Sequence, residues 1–151
     1  MKSYSNIFFL PFALIICIAL FSGFAGSSEN STVEKLLIER VNILHGVYTF
    51  QITADEAEKL LYEIETQPLL ASDIRDLRTF SATDIDMVLD MEIIAIEKVT
   101  DLYGRKSFRG EVLWHMRGYG GDYIQSVNYS IVMKKSTPNY KLSELLAISP
   151  F

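Results

Sequence analysis

At about Thr83 the spacing of apolar residues changes from a helical period to a strand period. That switch restricts the chain to folds that place helices first and a sheet second. Before it, Val33, Leu36, Leu37, Val41, Leu44 and Tyr48 recur at steps of 3, 4 and 7, one face of a helix. Glu34, Lys35, Glu39 and Arg40 are expected on its wet side, and Thr32 is expected to cap its start. Gly46 weakens its end, so the helix should stop between His45 and Gln51. Thr53-Ala54-Asp55-Glu56 is a capping-box pattern, in which Thr and Glu satisfy each other's backbone donors. The helix it opens carries Ala57, Leu60, Leu61 and Ile64, and Gln67-Pro68 ends it, because the residue before a proline disfavours the helical region. Ser72 is expected to cap a third helix with Ile74, Leu77 and Phe80 on one side.

After the switch, alternation dominates. Met91, Ile93 and Ala95 are read on one face of a strand and Glu92, Ile94 and Ile96 on the other. Phe108, Gly110, Val112, Trp114 and Met116 alternate with Arg109, Glu111, Leu113, His115 and Arg117, and a similar run extends from Tyr123 to Met133. A shorter run from Tyr140 to Ile148 follows Thr137-Pro138-Asn139. Tyr103-Gly104-Arg105 and Gly118-Tyr119-Gly120-Gly121-Asp122 carry turn residues, and such short connectors make neighbouring strands antiparallel. The expected class is α+β, with N-terminal helices packed on a four-stranded antiparallel meander. Trp114, in step with Val112 and Met116, is expected to be buried between the sheet and the helices.

The first 25 residues stand apart. Lys2 precedes an apolar run from Ile7 to Phe21, and small residues follow at Gly23 and Ala25. This is the layout of a signal peptide with a cleavage site after Ala25. The run is shorter than the roughly 20 residues of a spanning helix, although an uncleaved anchor is the alternative. Residues 26–32 read as a polar tether and 33–151 as a single domain. Both leader readings send that domain to a secreted or cell-envelope, extracytoplasmic location, with membrane contact only through an uncleaved N-terminal segment. A lipoprotein reading fails at Leu14-Ile15-Ile16-Cys17, where a bulky Ile precedes the cysteine.

Cys17 is the chain's single cysteine, so the domain after Ala25 has neither disulfides nor thiolate chemistry and relies on an apolar core. An exported domain without disulfides leans towards a bacterial envelope. The formal net charge is −5, and Lys2 is the leader's only charged side chain. No run of Lys or Arg exceeds Lys134-Lys135, so the basic footprint needed for nucleic acid is absent.

The helices and the segment from Val112 to Lys135, a long hairpin turning at Gly118–Gly121, resemble the cystatin-like group of folds, and within it the nuclear-transport-factor-2-like cone. The resemblance covers Val33 to Ile148 as an order of elements. It implies a strongly bent sheet wrapped around helices and transfers no catalytic motif.

Asp84, Asp86, Asp90 and Glu92 lack the glycine and spacing of a calcium loop and read as a solvated edge. His45 and His115 are the two histidines, too few for a zinc site, and no metal or cofactor is expected. No serine sits in a nucleophile elbow, and Gly118–Asp122 joins two strands, as a hairpin does and a phosphate loop does not. Among the aromatics Phe108, Trp114, Tyr123, Tyr129 and Tyr140, period 2 gathers most on one face. Packing is the simple role of that face. The ligand-pocket candidates are Trp114, Tyr123, Tyr129 and Tyr140, with His115 at the mouth. The expected function is a non-enzymatic interaction or accessory domain of unknown protein partner. The alternatives are a small apolar-ligand binder on the concave sheet face and a cone-type isomerase or hydrolase using a carboxylate such as Asp90 with a tyrosine phenol.

Overall fold

The structure, a computed structural model, describes residues 9–79 and 86–148, with side chains described from residue 28. Three helices precede four strands: α1 Phe9–Tyr48, α2 Ala54–Ile64, α3 Leu69–Thr79, β1 Met87–Leu102, β2 Arg105–Gly118, β3 Gly121–Ser136 and β4 Asn139–Ile148. The strands form one antiparallel sheet in the order β1-β2-β3-β4. The chain is thus an α+β fold of helices followed by a meander. The leader, including its cleavage site, lies outside the residues with described side chains, as do Phe80 and Asp84.

Two units divide the chain, Met1–Val33 and Glu34–Phe151. In the first, Ser27–Ser31, read as a tether, belongs to α1. Thr32 therefore caps no helix start. Its hydroxyl donates to the Ser28 carbonyl one turn back, at 2.9 Å, a common use of threonine inside a helix.

In the second unit, α2 opens on the capping box. Thr53 Oγ1 accepts from Glu56 N–H at 3.2 Å, and Thr53 N–H donates to Glu56 Oε2 at 2.9 Å. The Thr53 N–H and the Thr53 hydroxyl, at 2.8 Å, both donate to Glu56 Oε2, and these bonds to the ionised form hold the Glu56 carboxyl below its usual range. The third helix starts at Leu69, directly after Pro68, so Ser72 lies inside it. Pro68 sits just outside the first turn, where its missing N–H is harmless.

One core joins Ile43 and Val47 of α1, Ala57, Leu61 and Ile64 of α2, and Leu70 and Leu77 of α3. The helix-facing side of the sheet adds Phe108, Val112, Ile131, Met133 and Leu142, all buried. Gly110 lies among them because a Cβ there would come within 3.0 Å of Ile131 Cδ1. Trp114 shares this side and is half-buried.

The alternation read for β1 holds only to Ile93. Register shifts fall between Val88 and Asp90, Ile93 and Ala95, and Lys98 and Thr100. Each bulge inserts a residue and reverses the pleat beyond it. Ile96 consequently pairs with Gly110 and is half-buried, while Ala95 is exposed. The turns match their residues. Leu102 pairs with Arg105 around Tyr103-Gly104, whose φ values of 51° and 75° are both positive, as a tight hairpin requires.

Candidate functional site

Three regions of the second unit carry chemistry or space. The first is a buried ion cluster. Arg40 of α1 donates from Nε to Asp73 Oδ2 at 2.7 Å and from Nη2 to Asp73 Oδ1 at 2.8 Å, a two-point grip across to α3. Glu65, the C-cap of α2, brings Oε1 to 3.0 Å from the same Nε. Only 15% of the Arg40 side chain, 6% of Asp73 and 0% of Glu65 meet solvent. Both Glu65 oxygens are buried without a hydrogen-bond partner, because the Nε–H is directed at Asp73. Burial opposes the Arg40 charge, but its bonds to Asp73 and the carboxylate charge outweigh that and raise its pKa. Burial pushes Glu65 the other way for an acid, up to about 8, with the Asp73 charge adding and Arg40 opposing.

Sequence reasoning placed Arg40 on the wet side and did not single out Glu65 or Asp73. The structure corrects this. Arg40 stands four residues from both Leu36 and Leu44, so it shares their inward stripe. Asp73 occupies the same kind of position between Leu70 and Leu77. A charged residue at a core-stripe position on two separate helices was the signal available, and its physical meaning is mutual pairing in the interior.

The second region lies behind the sheet. Trp114 Nε1 donates to Tyr129 Oη at 3.2 Å, with the rings edge to face at 6.5 Å. Together with Leu37, Arg40, Val41, Met91, Val112 and Leu145 they line a void of about 10 Å³. This is at the lower limit of the space one water needs.

The third region is a groove of about 430 Å³ between the start of α3 and β4, lined by Leu69, Ala71, Ser72, Arg75, Leu145 and Leu146 among others. Leu146 is 60% exposed. The outer edge of β4 is engaged at the groove's upstream end: Glu65 bridges Leu142, and Thr66 N–H donates to Leu142 O at 2.7 Å. Ser143 Oγ also donates to Gln67 O at 2.9 Å.

The remaining residues singled out from sequence are spread along the sheet. Tyr123 donates to Asp86 across the sheet, and that bond holds the phenol proton and raises its pKa. Gly118 leaves room for this pair, since a Cβ there would come within 2.8 Å of Asp86 Oδ1. Tyr140 lies under Lys106, whose Nζ sits 4.4 Å from the ring centre, a cation–π contact. His115 pairs in register with Asp90 and, through the alternating pleat, faces away from Trp114. Tyr129 pairs with Gly110, five residues along β2 from His115, or about 16 Å. The structure therefore joins Trp114 with Tyr129 and does not bring Asp90 or His115 to them. Asp90 instead accepts from Met91 N–H at 2.8 Å. His45 lines a separate cleft of about 170 Å³ with Ile38, Asn42 and Asp90. Among the described residues no three His, Cys, Asp or Glu side chains converge as a metal site would need.

No protein-family model matches the chain, and no curated protein matches it. Among solved structures it is similar to the intermembrane-space region of the chloroplast protein ARC6, at 11% sequence identity and a TM-score of 0.48, over 80% of this chain and 96% of that one.

Proposed function

We propose that the chain is an exported, non-enzymatic interaction domain that receives a protein partner along the groove between α3 and β4, on a scaffold of the nuclear-transport-factor-2-like kind. The observation that supports this most is where the space lies. The open groove measures about 430 Å³, whereas the void behind Trp114 and Tyr129 measures about 10 Å³. A small-molecule site encloses about 300–1,000 Å³, so the enclosed apolar-ligand reading needs that void to grow more than tenfold. The groove also has an exposed apolar wall in Leu146 and a half-buried one in Leu145.

Site-directed photocrosslinking in the native host tests this. A crosslinker at Ala71 or Leu146 should give a discrete adduct, and one at Arg109, exposed on the other sheet face, should not. Equal labelling from both faces, or none from the groove, would reject the reading.

Export is part of the same proposal, carried by the order of charge, apolar run and small residues in the leader. Mass spectrometry of the protein from its host should place the mature N-terminus at or near Gly26. Recovery of a cytoplasmic species beginning at Met1 would rule export out.

A further inference from the structure

The buried cluster has an arithmetic problem that geometry makes visible. One guanidinium stands against two carboxyl groups, all three almost fully withdrawn from water. With both acids ionised, the interior would hold a net negative charge, which is costly in a low-dielectric setting. Arg40 has already committed two N–H groups to Asp73, and the shared Nε–H cannot serve two acceptors well. Glu65 is left buried with neither oxygen bonded. A neutral carboxyl removes the excess charge and turns one of those oxygens into a donor beside Asp73.

We propose that Arg40, Glu65 and Asp73 form a pH-sensitive latch: it joins α1, the α2–α3 elbow and β4 while the cluster keeps one proton, and loosens when that proton leaves. The placement gives the latch its reach. Glu65 N–H closes α2 on Leu61 O at 2.8 Å, and the next residue bonds to Leu142 of β4. Asp73 is on the inner side of the same α3 turn whose outer side, Ala71, Ser72 and Arg75, lines the groove. Repulsion between two buried carboxylates therefore acts on the junction where α2, α3 and β4 meet.

The charged neighbours are few, and from β3 Lys134 Nζ donates to the Gln67 carbonyl of the elbow at 3.3 Å. From α1, Arg40 opposes loss of the proton, and the Tyr48 phenol stays neutral, raised first by burial and then by the Asp73 charge. From α3, Asp73 favours retention on Glu65, and Asp76 acts on Tyr48. From β4, Leu142 meets the elbow through its backbone and Ser143 through its hydroxyl. The flanking Lys141 and Glu144 are engaged elsewhere, by the Tyr62 carbonyl and by Arg105.

The direction follows from linkage. Glu65 binds its proton more tightly folded, at about 8, than at its ordinary 4.5. Its stabilising contribution is thus complete below 4.5 and is lost as pH rises towards 8. One proton changes the opening equilibrium by at most about tenfold per pH unit.

Hydrogen exchange on the full-length chain between pH 5 and 9, corrected for intrinsic rates, tests the proposal. Opening at Leu61, Glu65 and Thr66 should rise steeply with pH up to about 8. The Glu65→Gln variant, which imitates the neutral acid, should lose that rise. A direct readout needs no variant: the Glu65 carboxyl carbon, followed by NMR, should titrate near 8 and not near 4.5. A titration near 4.5, or the same pH-dependent opening in Glu65→Gln, overturns the latch.

Discussion

Arg40→Met should unfold in urea with a loss of about 3–5 kcal/mol, the cost of leaving buried carboxyl groups without their cation. The arginine is the one positive group in the cluster, and its two bonds to Asp73, at 2.7 and 2.8 Å, are the direct tie from α1 to α3 that the cluster provides. Far-UV circular dichroism against urea measures the loss. The effect should shrink at low pH, where both acids can take up protons. Replacing the whole cluster, Arg40→Met with Glu65→Met and Asp73→Leu, should recover most of the stability, since well-packed apolar groups often match or exceed a buried ion cluster. The three changes share partners, so their effects will not add. A loss under 1 kcal/mol for Arg40→Met would mean that the pairing contributes no more than a surface salt bridge.

Phe108→Ala should cost about 3–5 kcal/mol by the same measurement, as a buried aromatic leaves a cavity that its neighbours only partly fill. Phe108 is 1% exposed and stands opposite Ile131 on β3. The adjacent Arg109 is exposed on the opposite face, and Arg109→Ala should stay within about 0.5 kcal/mol. Comparable losses at both positions would contradict the assignment of the two sheet faces.

The order of elements was legible because each local signal had one dominant cause. Thr53 and Glu56 satisfy each other within four residues, so the start of α2 could be read without any tertiary knowledge. Tyr103-Gly104 and Gly118–Gly121 announced hairpins for the same reason. What escaped depended on partners distant in sequence. Arg40 lies 33 residues from Asp73, and a charge on an apolar stripe is read as solvated until its partner is located. Ile96 escaped because a bulge depends on how β1 meets β2, and alternation within one strand carries no record of it. Ser72 was a plausible cap for a helix from Asp73, but Pro68 let the helix begin four residues sooner, at Leu69.

The docking of α2 and α3 on β4 also fixes an order of assembly. The helices precede the sheet in the chain, yet Thr66 and Gln67 find their partners at Leu142 and Ser143, some 76 residues downstream. The strands between zip through tight turns, each adding to the one before, and such local pairing closes quickly. The elbow has no such shortcut. During synthesis the three helices can already gather Leu61 and Leu70 against Ile43 and Val47, but a chain stalled before Asn139 leaves the Thr66 N–H and the Gln67 carbonyl without Leu142 and Ser143, so the elbow stays undocked until the fourth strand arrives.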